Sequence, residues 1–130
     1  GIVPDERGQI SSRLKDLSSR SIDLIITAGG TGCAPRDVTP EATKKVVDRE
    51  LPGLAEKMRL ESAKITPNAW LQRGIAGIRG RSLIVNLPGS KKAAVENLDF
   101  VLSLIESALS HLHETEVHPE TESRVIEKSG

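Results

Sequence analysis

The sequence has few aromatic residues and a single cysteine. One Trp, one Phe and no Tyr occur among its 130 residues. A hydrophobic core must therefore be aliphatic, and a nucleic-acid surface built on base stacking is not supported. The lone cysteine, Cys33, excludes an internal disulfide framework. A single free thiol is typical of a reducing compartment, and we therefore expect a cytoplasmic protein.

A net charge and long apolar runs are also absent. The 18 basic and 18 acidic residues cancel, so no overall electric field draws the chain to nucleic acid or to an anionic membrane. No segment approaches the length of about 18 apolar residues that a membrane-spanning helix requires. We expect a single domain that neither binds nucleic acid nor inserts into a membrane.

The hydrophobic pattern alternates between strands and helices. Short apolar runs predict strands at 24–26, 75–78 and 82–87, the last two joined by a turn at 79–81. Helical periodicity and helix-start signals predict one helix that opens at residue 4 or 5, and others at 40–50, 54–62, 66–71 and 91–112. This order predicts an α/β fold around a parallel sheet.

A glycine-rich turn follows the first predicted strand. Three of the four residues 29–32 are glycine, which lets the backbone turn tightly and approach a ligand closely. Thr39 as N-cap and Pro40 at the first helical position then predict a helix start. Ligands of parallel α/β sheets lie beyond the carboxyl ends of the strands, so free N–H groups in this turn suit a phosphate. The spacing matches neither a dinucleotide fingerprint nor a P-loop, and a tight crossover without a ligand is the alternative.

A second glycine turn and two carboxylates complete the candidate site. Pro88, Gly89 and Ser90 follow the last predicted strand and precede the longest helix. Asp5 and Asp37 fall at the same edge of the predicted sheet, although Asp5 could simply complement a helix N-terminus. A carboxylate pair suits a hard divalent cation such as Mg²⁺. Together these features predict phosphoryl or nucleotidyl transfer, in which catalysis depends on positioning and charge neutralisation.

Residues 29–43 resemble the signature of the molybdopterin-binding family of molybdenum-cofactor biosynthesis. Their sequence, Gly-Gly-Thr-Gly-Cys-Ala-Pro-Arg-Asp-Val-Thr-Pro-Glu-Ala-Thr, is most similar to the molybdopterin adenylyltransferase branch, which includes the N-terminal domain of gephyrin. The resemblance extends to residues 2–6, 77–80 and 86–92 and spans residues 2–111. It implies a three-layer α/β sandwich with a mostly parallel central sheet and helices on both faces. The first strand and helix of the family would be absent from this sequence.

The resemblance also implies one reaction, the transfer of AMP from Mg-ATP to molybdopterin, which gives adenylyl-molybdopterin and pyrophosphate. Asp5 and Asp37 would be the catalytic carboxylates and would position Mg²⁺ and the reacting phosphates. The residues that would bind substrate and nucleotide are Gly29, Gly30, Thr31, Gly32, Arg36, Thr39, Pro88, Gly89 and Ser90. Arg36 would neutralise phosphate charge, unless it forms an ion pair with Asp37 or another carboxylate.

Two other functions fit the same resemblance. A gephyrin-like domain would act as a trimeric scaffold that clusters receptors, with Trp70 and the long helix at the interface. Trp70 could alternatively stack on a ligand. A non-catalytic pterin-binding domain would keep the glycine turns without turnover. We expect the domain to span residues 1–112, followed by an acidic polar linker or disordered tail, 113–130, that could lead to a fused molybdate-insertion domain beyond residue 130.

Overall fold

The computed structural model describes residues 6–114 and places a four-stranded sheet between helices. In chain order the elements are α1 Glu6–Ser19, β1 Leu24–Ala28, α2 Thr39–Val46, β2 Arg49–Glu50, α3 Pro52–Ala63, a 3₁₀ turn Pro67–Leu71, β3 Ala76–Arg79, β4 Ser82–Leu87 and α4 Lys91–Leu112. None of the described helices is long and apolar enough to cross a membrane. The predicted tail, 113–130, lies outside the described residues except for its first two.

The sheet is mixed within the described residues, in the order β1-β4-β3-β2. β1 and β4 are parallel, whereas β3 runs antiparallel to both β4 and β2. The predicted α/β class is confirmed, but the sheet is not mostly parallel. The reason lies in the connection of residues 80–81, which is too short for a crossover and therefore makes β3 and β4 antiparallel neighbours.

The three-layer arrangement follows from the alternation of side chains along β4, all of whose residues are buried. Leu83 and Val85 point to one face of the sheet, where they belong to the core formed with α3 and α4. Ile84 points to the other face and packs with Leu14 of α1 and Val46 of α2. Successive side chains of a strand alternate between faces, so burial on both faces accounts for the three consecutive apolar residues at 83–85.

The helix predicted over residues 40–50 is shorter than expected. α2 ends at Val46, and Arg49–Glu50 forms β2, a short edge strand. The backbone of β2 pairs with that of β3, so residues 49–50 form an edge strand instead of a further helical turn. Pro52 is the first residue of α3, where its missing N–H costs nothing.

Thr39 is not the N-cap of α2, contrary to the sequence prediction. Val38 occupies the cap position and makes no side-chain cap hydrogen bond, while Thr39 is the first helical residue and Pro40 the second. The N–H of Thr39 donates to the carbonyl oxygen of Gly30 at 3.1 Å. This bond holds the start of α2 against the glycine turn.

The helix predicted over residues 66–71 is a 3₁₀ turn. Beyond Leu71 the backbone of Gln72 is extended. The next N–H, that of Arg73, donates to the carbonyl oxygen of Thr31 at 2.8 Å. The chain therefore runs back beside the glycine turn instead of continuing as a helix.

Asn86 is a buried hydrogen-bonding centre one residue before the end of β4. Its side chain is 1% exposed, and its Oδ1 accepts from the N–H of Ile75 at 3.1 Å. Its Nδ2 donates to the hydroxyls of Thr27 at 2.9 Å and Thr43 at 3.0 Å. One side chain thus joins β1, β4, α2 and the segment that enters β3.

We predict that Asn86→Ala lowers the free energy of unfolding by about 2–3 kcal/mol, because it removes three hydrogen bonds of a buried side chain and leaves the N–H of the half-buried Ile75 without its partner. Urea denaturation measures the change. Asn68→Ala is the control, since Asn68 is exposed and should change stability by less than about 0.5 kcal/mol. Equal midpoints for Asn86→Ala and the wild type would contradict the role given to Asn86.

Candidate functional site

The two predicted glycine turns touch each other at one edge of the sheet. Ala28 lies opposite Leu87 in the parallel pair, so β1 and β4 end side by side. The N–H of Gly29 donates to the carbonyl oxygen of Leu87 at 2.9 Å. A Cβ on Gly89 would lie only 3.2 Å from the Cα of Gly29. A side chain at position 89 would therefore force the two main chains apart by a few tenths of an ångström, whereas a Cβ on Gly29 would lie at an ordinary contact distance of 3.7 Å from the Cα of Gly89.

Gly30 is the most constrained residue of the first turn. Its φ of +69° lies in the left-handed region, which side-chain-bearing residues rarely adopt. A Cβ there would collide with the hydroxyl of Thr39, which is itself buried. The turn is thus packed directly onto the first residue of α2.

The side chain of Thr31 points into the protein interior. Its side chain is 3% exposed, and its hydroxyl donates to the Oε1 of Gln72. Because this hydroxyl is already bonded, a phosphate contact at this position would come from the main chain. The side chain instead links the turn to the segment after the 3₁₀ turn.

Asp37 presents one carboxylate oxygen without a partner. Its Oδ2 accepts from the N–H of Ala34 at 3.0 Å, and its own N–H donates to the Ala34 carbonyl at 2.9 Å. These two bonds close a short turn that fixes the carboxylate. Oδ1 has no hydrogen-bond partner among residues 6–114. Asp5, the second predicted carboxylate, lies outside the described residues.

The donor set fits a magnesium ion that is held largely by substrate. Residues 6–114 contain no group of three or more His, Cys, Asp or Glu side chains that could enclose a metal. Mg²⁺ usually keeps several waters and uses one or two carboxylates together with substrate phosphates. A single free oxygen on Asp37 beside two phosphate-ready turns is consistent with that mode of binding.

The remaining predicted residues occupy the rim of the site. Arg36 is exposed and forms no ion pair with a carboxylate of the described chain, so the alternative of a pair with Asp37 is not realised there. Ser90 caps α4, its hydroxyl accepting from the N–H of Ala93 at 3.2 Å. Pro88 is half-buried beside it.

Arg73 is the residue at the site that the sequence did not indicate. Its Nε donates to the carbonyl oxygen of Gly32 at 2.8 Å, and its Nη2 donates to that of Asp37 at 2.6 Å. Its Nη1 pairs with the carboxylate of Glu41 at 2.5 Å. These partners lie more than 30 positions away in the sequence, and no local motif marks an arginine that follows a turn.

The ion pair perturbs both of its members. The hydrogen bond from Arg73 lowers the pKa of Glu41 below its ordinary value. The same hydrogen bond raises the pKa of Arg73. Both groups are therefore ionised at neutral pH.

A pocket of about 290 Å³ opens beside the glycine turns. It lies between α3, the 3₁₀ turn and the start of α4, and it shares Gly32 and Pro88 with the two turns. Its apolar walls are Ile65, Ala69, Leu71, Pro88 and Ala93, and its polar residues are Arg59, Ser62, Thr66, Asn68, Gln72, Glu96 and Asn97. Such a mixture suits a ring with polar edges.

The arrangement as a whole suits a reaction between a phosphate-bearing nucleotide and a second, cyclic substrate. Main-chain donors of the two turns suit phosphates. Within residues 6–114, one carboxylate oxygen of Asp37 and the guanidinium of Arg36 have no partner of opposite charge. The pocket adjoins the same turns. A ring bound there would bring its own substituents next to the nucleotide phosphates.

The chain is similar to proteins of molybdenum-cofactor synthesis. Residues 1–110 match a domain family described as the probable molybdopterin binding domain. The chain is 51% identical over 105 residues to the molybdopterin adenylyltransferase of Helicobacter pylori, covering 80% of this chain and 60% of that protein. It is 47% identical over 108 residues to gephyrin of Dictyostelium discoideum, covering 83% of this chain and 15% of gephyrin.

The fold has a similar counterpart among solved structures. The molybdopterin biosynthesis enzyme MoaB of Thermus thermophilus matches with a TM-score of 0.78 at 56% identity, covering 85% of this chain and 70% of that one. The chain spans 60% of the H. pylori protein and a smaller share of gephyrin. The match over residues 1–110, on a fold whose two glycine turns meet at one sheet edge, shows that the chain belongs to the family of probable molybdopterin-binding domains.

Proposed function

We propose that this chain carries a molybdopterin adenylyltransferase site, which transfers AMP from Mg-ATP to molybdopterin. The observation that carries the proposal is the contact between the turns at Gly29 and Gly89, beside the free oxygen of Asp37. The H. pylori relative bears the name of this activity and shares half of the aligned residues. We place the reaction in the cytoplasm, where an exposed thiol such as Cys33 stays reduced.

The nucleotide phosphates would bind at the facing turns, residues 29–32 and 88–90. Main-chain N–H groups of such turns complement anionic oxygens, and the turn at Ser90 leads directly into the N-terminus of α4, whose dipole favours negative charge. Arg36 is free among the described residues to neutralise phosphate charge. These groups provide positioning and electrostatic stabilisation, which are the main contributions to phosphoryl-type transfer.

In the proposed reaction, an oxygen of the terminal phosphate of molybdopterin attacks the α-phosphorus of ATP. A bond forms between that oxygen and the α-phosphorus, while the bond to the bridging oxygen of the β-phosphate breaks and pyrophosphate leaves with its electron pair. Asp37, and Asp5 by resemblance, would hold Mg²⁺, which when bound neutralises phosphate charge. The role of Asp37 is thus to keep a carboxylate oxygen aimed at the phosphates.

The pocket beside the turns would receive the pterin ring. Its volume of about 290 Å³ lies near the lower end of small-molecule sites, which run from roughly 300 Å³ upward. Leu71 and Ile65 offer apolar contact to the faces of a flat ring, while the carboxylate of Glu96 offers a hydrogen-bond acceptor to its edge. Because the pocket shares Gly32 with the first turn, a ring held there would direct its phosphate toward the nucleotide.

We predict that Asp37→Asn reduces AMP transfer at least 100-fold while the fold is retained. Asparagine keeps an oxygen that can accept from Ala34, but it removes the negative charge that would position Mg²⁺. The measurement is steady-state release of pyrophosphate, with circular dichroism as the check on folding. Asp99→Asn, the same change at an exposed position of α4, is the control and should retain full activity. Wild-type turnover in Asp37→Asn would rule out this role.

We also predict that Ala93→Phe weakens molybdopterin binding about 10-fold or more without changing the affinity for Mg-ATP. A phenyl ring at position 93 would fill the pocket. The main-chain N–H of residue 93 would still donate its hydrogen bond to the Ser90 hydroxyl. Calorimetric titration with each substrate separates the two effects. Ser103→Phe adds the same ring at an exposed site of α4 and serves as control. If Ala93→Phe bound molybdopterin as tightly as the control, the ring would not occupy this pocket.

A second proposal concerns the assembly of several copies of this chain, which an exposed apolar surface favours. Leu60 on α3 and Trp70 on the 3₁₀ turn are 50% and 57% exposed, and neither lines the pocket. Large exposed apolar side chains in one region mark interaction surfaces. We propose that they form the contact between copies in a homotrimer, which would serve catalysis or a scaffold equally well.

We predict that Trp70→Glu converts the proposed trimer to monomers, because it places a charge at the centre of that apolar surface. Sedimentation equilibrium at micromolar concentration measures the mass. Glu56→Gln, a change at an exposed position of α3 outside the surface, should leave the mass unaltered. A wild-type chain that is monomeric throughout this range would exclude the trimer and weaken the scaffold function.

A further inference from the structure

Arg73 holds the loop between the first glycine turn and α2 at several points. Its main-chain N–H donates to the carbonyl of Thr31 at 2.8 Å. Its guanidinium donates to the carbonyls of Gly32 and Asp37 and to the carboxylate of Glu41. Both ends of the segment 31–37 are therefore bound to one residue that belongs to a distant part of the chain.

These bonds determine which way the peptide groups of the loop point. A trans peptide unit is planar, and its N–H points away from its C=O. The carbonyls of Thr31, Gly32 and Asp37 all face Arg73. The N–H groups of the residues that follow them in the sequence, Gly32, Cys33 and Val38, must therefore point away from Arg73. The arginine thus gathers carbonyl oxygens, which would repel phosphate, on one side of the loop.

The charge of Arg73 is matched locally by Glu41. The hydrogen bond between them lowers the pKa of Glu41, so the carboxylate is charged at neutral pH. The ion pair is lost only in acid, as the pH falls through that lowered pKa. The two side chains remain 36% and 41% exposed, and exposed ion pairs contribute little to stability. The geometry of the loop, and not the strength of the pair, is what this arrangement determines.

We propose that Arg73 is a positioning residue for AMP transfer. It acts through the main chain of residues 31–37, by turning their carbonyls away from the phosphates and by fixing the backbone that carries the Asp37 carboxylate. This inference rests on the function proposed above and adds to it a residue that touches neither substrate. Lysine cannot replace it, because a single ammonium group cannot span acceptors on Gly32, Asp37 and Glu41 together.

The test compares Arg73→Lys with Arg79→Lys. Arg79 is also half-buried and also donates to a main-chain carbonyl, that of Val46 at 2.8 Å, but it lies at the opposite end of the sheet. We expect Arg73→Lys to accelerate amide hydrogen exchange in residues 32–38 about 10-fold and to lower kcat/KM for Mg-ATP about 10- to 100-fold, because small displacements of positioning groups have effects of that size. Arg79→Lys should change neither quantity.

Two further measurements accompany this comparison. Thermal unfolding reports any loss of stability. The activity of Arg73→Lys should remain reduced when it is assayed at temperatures well below the melting temperature of the variant. Glu41→Gln should lose less activity than Arg73→Lys, because the bonds from Arg73 to the Gly32 and Asp37 carbonyls can persist. Equal losses in Glu41→Gln and Arg73→Lys would show that the ion pair alone matters and would overturn the proposal.

Two further outcomes separate the role of Arg73 from the proposed function. Unchanged exchange and unchanged kcat/KM in Arg73→Lys, with an active wild type, would overturn the role of Arg73 and leave the proposed function intact. A wild-type chain that transfers no AMP would count against the proposed function. In that case the exchange comparison between Arg73→Lys and Arg79→Lys still decides whether Arg73 orders the loop, with no difference between them overturning it.

Discussion

The parallel pairing of β1 with β4 is the constraint on which the rest of the site depends. It brings the carboxyl ends of two strands to the same edge, and the bond from the Gly29 N–H to the Leu87 carbonyl carries the pairing into the turns. Glycine at position 89 then allows the two main chains to touch. A one-residue shift of this register would reverse the faces of β1 and separate the turns, so core packing and site geometry are specified by the same pairing.

The turns themselves contribute backbone, while side chains from elsewhere hold them in place. Asn86 lies beneath them and ties β1, β4 and α2 together, Thr31 is bonded to Gln72, and Arg73 gathers the carbonyls of the loop. Because a backbone turn has little stiffness of its own, its shape depends on these surrounding contacts. The site is therefore a product of the whole sheet edge and not of the glycine motif alone.

The sequence predicted the parts of this structure that local chemistry determines. The strand before Gly29, the strand ending at Leu87 and the start of α4 at Ser90 all follow from apolar runs and turn residues. The end of α2 at Val46 could not be predicted in this way, because β2 forms only when β3 lies beside it. The role of Arg73 could not be predicted from the sequence for the same reason, since its partners become neighbours only after the chain has folded.

The direction of α4 determines where anything joined to this domain would be attached. The helix starts at the site and runs for 22 residues, a length of about 33 Å at 1.5 Å per residue. His113, just beyond it, contacts the carbonyl of Arg81 and the carboxylate of Asp23 at the far end of the sheet. A module linked after residue 114 would thus be tethered about 30 Å from the glycine turns, and it would need a linker of comparable reach to deliver or collect a substrate there.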